Sequence, residues 1–212
     1  MTVVKICGIS SPEHMLVAAA CGADYVGLVF APSKRQVTVE QAQYLIKTLR
    51  DAGYTTPVVG LFVNASAAAI QSVVRTCALD VIQLHGNEPY ALLAQLPAIP
   101  VWRAVRLAGS ADEDEWLAQT DARVTLLVDA AVPGAFGGTG APADWQAAAA
   151  LAQQRRVVLA GGLHPGNVTA AIAQVHPWGV DVSSGVERAG FKDNGLIAAF
   201  IDTAKHHITE EA

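Results

Sequence analysis

The chain has 212 residues, 52% of them apolar, with 14 Lys and Arg against 19 Asp and Glu for a formal net charge of −5. That length and apolar content support a sizeable core and argue against disorder. Scattered basic residues in an acidic chain form no nucleic-acid stripe, and no apolar run reaches the roughly 18 residues of a membrane span, so neither nucleic acid nor membrane is an expected partner.

The first residues lack a basic stretch followed by an apolar one, which predicts no cleaved leader. Cys7, Cys21 and Cys77 are an odd set without metal-ligand spacing. They fit a reducing cytoplasm, with Cys21 and Cys77 read as packing residues and no metal site expected. His14, His164 and His176 are read as surface residues.

Along the chain, short β-rich apolar runs alternate with helical stretches. The runs are VVKIC (3–7), DYVGLVF (24–30), PVVGLFV (57–63), DVIQLH (80–85), PVWRAV (100–105), VTLLVD (124–129), RVVLA (156–160) and GVDVSS (179–184). Most are continuously apolar, as strands of a parallel sheet covered on both faces are. Ser11, Pro12 and Glu13 open the first helix with an N-cap, a proline and an acid. Thr38 and Gln41 form a capping box before AQYLIKTLR (42–50). Helices are then expected in ASAAAIQSVVRT (65–76), EPYALLAQL (88–96), ADEDEWLAQ (111–119), ADWQAAAALAQQ (143–154), GNVTAAIAQV (166–175) and NGLIAAFIDTAKHH (194–207), with His206 and His207 in a last turn that favours cations.

Eight such units at roughly 26 residues each predict an α/β fold, one (β/α)8 barrel over residues 1–212 with no second domain. A doubly wound open sheet is the rival, but CGISSPEH after the first strand lacks the G-x-G-x-x-G loop. In a barrel, function collects at the carboxyl ends of the strands. Those ends carry Cys7-Gly8, APSKR (31–35), QLHGNE (83–88), VDAA (128–131), LAGGLHPGN (159–167) and DVSSGVE (181–187).

The last two loops, with Gly161-Gly162 and Ser183-Ser184-Gly185, offer backbone N–H groups and hydroxyls that can cradle a phosphate. Cys7 on the first strand and Asp129 on the sixth face each other across the mouth, an arrangement suited to acid–base chemistry. Arg35 can fork onto a substrate carboxylate. His85 can orient a substrate hydroxyl or be satisfied within the protein, and Asp181 can bond a sugar hydroxyl or brace the barrel floor. Lys5 lies two residues before Cys7, so strand parity points both the same way, inward if Cys7 points inward.

KICGI, GLVFAPSKRQV, QLHGNE, LLVD, GGTG followed by DW, LAGGL and DVSSGVE, spread in order from Lys5 to Glu187, together resemble the phosphoribosylanthranilate isomerase family. The resemblance implies a barrel that needs no cofactor or metal. It implies as substrate phosphoribosylanthranilate, rearranged to 1-(2-carboxyphenylamino)-1-deoxyribulose 5-phosphate. It places the general base on Cys7, the general acid on Asp129 and the carboxylate clamp on Arg35. The phosphate loops then fall on Gly161-Gly162 and Ser183-Ser184-Gly185, with Asp181 close to the sugar. Lys34 stands where proline is common in the family, and APA (141–143) replaces a segment that usually holds an aromatic residue.

The chemistry asks for a raised Asp129 and a lowered Cys7, by burial and by a cation such as Lys5 or Arg35 respectively. Rival readings are another sugar-phosphate isomerase, such as the histidine-pathway enzyme with aspartate at the cysteine position, and a non-catalytic phosphate-ligand binder. The sequence leaves monomer and homodimer open.

Overall fold

A computed structural model describes residues 2–131 and 140–206. Eight parallel strands close into a barrel in chain order: β1 (Val3–Cys7), β2 (Tyr25–Val29), β3 (Val58–Phe62), β4 (Val81–Leu84), β5 (Val101–Val105), β6 (Val124–Val128), β7 (Val157–Leu159) and β8 (Gly179–Val182). Closure is the pairing of β1 with β8, where Val4 lies opposite Val180 and Lys5 opposite Asp181. The helices α1 (Pro12–Ala20), α2 (Val39–Asp51), α3 (Ala67–Cys77), α4 (Ala111–Ala118), α5 (Trp145–Ala152), α6 (Val168–Val175) and α7 (Asn194–Lys205) connect the strands or follow them.

The continuous apolar runs follow from this geometry, because each strand has two buried faces. Outward residues such as Val4, Ile6, Val26, Leu28 and Ile82 pack with helix residues such as Met15, Leu45 and Phe200 in the main core. Each such side chain, fully buried, contributes roughly 1.5–3 kcal/mol. Inward residues make a second cluster of Val59, Val81, Trp102, Ala104, Leu127, Val158 and Ala160, with Tyr25 and Trp178 packed against it. Cys7, Val29, Ala31 and Leu61 form a separate inner group.

The helix starts are those the sequence signals. Ser11 Oγ accepts from the His14 N–H at 3.3 Å. Thr38 and Gln41 bond reciprocally at 3.2 and 2.8 Å, so two otherwise orphaned N–H groups are satisfied.

Four expectations change. EPYALLAQL forms a short 3-10 helix, Tyr90–Gln95, in place of an α-helix; it is boxed between Pro89 and Pro97 and buries only Leu93. After β8 an unforeseen hairpin joins β9 (Glu187–Arg188) to β10 (Phe191–Lys192) through Ala189 and Gly190, both with positive φ. That is a two-residue turn matched to strand twist, hidden because Ala-Gly lacks the usual Asn-Gly signature. α7 stops at Lys205 with His206 as its cap, and His207 lies outside the described residues. Cys77 is buried as expected, but Cys21 is exposed.

Candidate active site

The carboxyl ends of the strands surround a cavity of about 540 Å³, lined by Cys7, Arg35, His85, Asp129, Gly161, Gly162, Asp181, Ser183 and Ser184 among others. Nine of the eleven residues singled out from the sequence therefore meet in one place. The two that do not line it are Lys5 and Gly185. Gly185 has a packing role instead, since a Cβ there would sit 1.8 Å from the Leu163 carbonyl oxygen, and only glycine lets the seventh and eighth loops approach so closely. Gly137–Thr139 of the GGTG motif (137–140) fall outside the described residues.

Lys5 points inward, as strand parity predicts, and is 0% exposed. Its Nζ donates to both carboxylate oxygens of Asp181 at 2.9 Å. This is a cross-strand pair sealing the β1–β8 seam, and it is what makes a buried ammonium tolerable. Burial pulls the Lys5 pKa down, but Asp181 and Cys7 outweigh it and hold the group above its ordinary value.

Cys7 is 4% exposed at the end of β1. Burial pushes its thiol up; Lys5 and Lys192 pull it down, Asp181 adds to the rise, and the net is a raised pKa. The lowered thiol expected from the sequence is thus absent, because burial outweighs the pull of Lys5 and Asp181 adds to the rise. The glycine after Cys7 also has its reason. Gly8 sits at φ +77°, and a Cβ there would lie 2.6 Å from Arg35 Cδ and 3.2 Å from Ser183 Oγ. The chain turns out of β1 in a left-handed conformation that only glycine adopts freely, and the stem of Arg35 lies where a side chain would be.

Asp129 follows β6 directly. Its Oδ2 lies 3.0 Å from His85 Nε2, and its Oδ1 accepts from the Ala130 N–H at 2.8 Å. Burial pushes this carboxyl up, but the His85 hydrogen bond and charge, the Ala130 N–H and Arg106 together hold it below the usual carboxylate range. This reverses the raised value expected from burial alone. His85 is satisfied within the protein, between Asp129 and Gln83, while still lining the cavity.

Arg35 is engaged by a residue the sequence reading passed over. Its Nε donates to Glu187 Oε1 at 2.5 Å and its Nη2 to Oε2 at 3.1 Å. Glu187 also receives Lys34 at 2.9 Å and Lys192 at 3.1 Å. Burial would raise this carboxyl, yet Arg35, Lys34 and Lys192 bring it down to about 2. Lys192 in turn donates to the Ser183 carbonyl at 2.7 Å, bracing the eighth loop. Glu187 stood at the end of DVSSGVE and was readable as part of that motif. Lys192 depends on the hairpin and was not. Gln83 could have been found from parity, since it shares the inward face with His85 in an otherwise apolar strand. Among the described residues, no group of three or more His, Cys, Asp or Glu could hold a metal ion.

A (β/α)8 barrel with a thiol, a carboxylate, an arginine and paired Gly-rich and Ser-rich loops at one mouth defines a barrel enzyme for a small anionic substrate. Comparison with known proteins narrows the class: the profile of the family described as N-(5'phosphoribosyl)anthranilate (PRA) isomerase matches residues 4–203, and the chain belongs to that family. An N-(5'-phosphoribosyl)anthranilate isomerase of Roseiflexus castenholzii is 49% identical over 207 residues, covering 96% of this chain and 98% of that one. The crystal structure of phosphoribosyl anthranilate isomerase from Thermotoga maritima superposes with a TM-score of 0.84 at 38% identity, over 97% of this chain and 99% of that one. A phosphoribosyl anthranilate isomerase solved with reduced 1-(o-carboxyphenylamino)-1-deoxyribulose 5-phosphate gives a TM-score of 0.81 at 37% identity, with the same coverage.

Proposed function

We propose that the chain, acting as one barrel in the cytoplasm, catalyses the Amadori rearrangement of N-(5'-phosphoribosyl)anthranilate, the third step from chorismate to tryptophan. The observation that carries the reading is the shared cavity: Cys7 and Asp129 line it together with Gly161-Gly162 and Ser183-Ser184. In this scheme the Gly and Ser loops hold the phosphate and Arg35 holds the anthranilate carboxylate. Asp181 lies by the sugar, tied to Lys5.

Asp129 as a carboxylic acid gives its proton to the furanose ring oxygen. The C1–O bond breaks and leaves an iminium cation. Cys7 as thiolate removes the C2 proton, and the resulting enolamine tautomerises to the ketone, so protons gained and lost balance. In the free site both groups rest in the opposite protonation states. Bound substrate supplies the correction: its two anionic groups favour a protonated Asp129, and the iminium cation favours the Cys7 thiolate.

The test follows the fluorescence of freshly made phosphoribosylanthranilate. Wild type should consume it, whereas Cys7→Ala and Asp129→Asn should lose turnover by about two to four orders of magnitude while still binding inorganic phosphate. Full turnover in both variants would reduce the site to ligand binding.

A further inference from the structure

Gln83 is wholly buried on β4, and among the described residues its amide has one hydrogen-bond partner. Its Nε2 lies 2.9 Å from His85 Nδ1, while its Oε1 is buried with no hydrogen bond among the described residues. Most buried side-chain polar atoms have a hydrogen-bond partner, so an amide oxygen left without one asks for a reason. Among the described residues, the imidazole is the amide's only hydrogen-bond partner. Its neighbour His85 is the group that contacts Asp129.

We propose that Gln83 is a positioning residue for the acid: a half-turn of its amide switches His85 between donating a hydrogen bond to Asp129 and accepting one from it. The inference rests on the reading of Asp129 as the acid. The two arrangements follow from donor and acceptor counting. With the amide nitrogen toward His85, Nδ1 is bare, Nε2 carries the hydrogen, and Asp129 is a carboxylate. With the amide turned, Oε1 faces Nδ1, which must then carry a hydrogen taken as one proton from solvent. The Nε2 proton can now pass to Asp129 Oδ2, leaving a neutral imidazole and a carboxylic acid that donates back to Nε2. Only N–H and O–H bonds form and break, and the second arrangement holds one proton more than the first.

The other groups facing the pair favour the carboxylate. The Ala130 N–H bonds Oδ1, and Arg106, from the end of β5, acts on Asp129 while its Nη2 donates to the His85 carbonyl at 3.1 Å. Glu88 is engaged with the Gly86 and Asn64 N–H groups and with Arg103. Among the described residues, Gln83 is the side chain placed to accept from Nδ1, so it supplies what the protonated arrangement needs. Together with the bound substrate's anionic groups, this accounts for how a carboxyl held low in the free site can be loaded as an acid.

The test is ¹⁵N NMR of His85 across pH together with the pH profile of kcat, in wild type, Gln83→Met and Gln83→Glu. In wild type, Nδ1 should gain its hydrogen over the same pH step in which turnover changes. Gln83→Met, with no acceptor, should move that step down by about one unit and lower kcat near pH 7 about tenfold, with little change in KM. Gln83→Glu, which keeps an acceptor, should retain the Nδ1 hydrogen and most of kcat. The proposal is overturned if Nδ1 stays bare throughout the range of turnover in wild type, a result that needs no variant to fold. It is equally overturned if Gln83→Met leaves both step and profile in place. Unimpaired turnover in Asp129→Asn would instead remove the acid assignment itself.

Discussion

Glu187 holds Arg35 along the Nε edge of its guanidinium, through Nε at 2.5 Å and Nη2 at 3.1 Å, and among the described residues Nη1 makes no hydrogen bond. A guanidinium held side-on still presents its end-on edge to a carboxylate. With Arg35 as the proposed carboxylate clamp, Glu187→Gln should raise KM about tenfold, since a charge-assisted bond that orients the guanidinium is lost. Arg35→Met should raise it further, and the double variant should be no worse than Arg35→Met alone. Steady-state kinetics on the four proteins checks this; additive losses would show that Glu187 does not act through Arg35.

The same carboxylate makes stability depend on acid. The folded pKa of Glu187 is about 2, below the ordinary 4.5, so its contribution is fully present above about pH 4.5 and is lost as pH falls toward 2. Urea midpoints of wild type and Glu187→Gln should differ at neutral pH and converge over that window. Parallel midpoints down to pH 2 would count against the ion cluster.

Lys5→Met removes the strongest influence that lowers the Cys7 thiol. The pH midpoint for alkylation of Cys7 should rise further, and an unchanged midpoint would rule Lys5 out as the relevant cation. Stability should fall by about 3–5 kcal/mol, because Asp181 is left buried and unpaired. Adding Asp181→Leu should recover part of that loss, read as a higher urea midpoint than the single variant.

Gly8→Ala places a Cβ at 2.6 Å from the Arg35 stem in a left-handed backbone conformation. The backbone term alone costs about 1–2 kcal/mol. Displacement of Arg35 should add a higher KM, and thermal unfolding with kinetics would separate the two effects. A variant with wild-type KM would place the stem elsewhere.

Much of this architecture could be read from the chain. Continuous apolar runs gave the parallel barrel, and period-two parity put Lys5 and Cys7 on the inner face. What escaped was non-local. The direction of the Asp129 shift depends on His85, 44 residues away, and that of Cys7 on how deeply its thiol is buried and on how far Lys5, with Asp181 beside it, offsets that burial. Strand order shows that such residues share a mouth, but only side-chain geometry shows which of them bond to each other. The β9–β10 hairpin escaped for a local reason, its unmarked Ala-Gly turn, and with it went the role of Lys192.

The seam between β1 and β8 joins the first and last strands of the barrel, and Lys5 with Asp181 rivets it. The sulfur enters on the first stave, the serine loop on the last, so a growing or partly refolded chain owns neither a finished wall nor a working pocket. Turnover regained during refolding is thus a gauge of circularisation, reporting the moment the ring is complete.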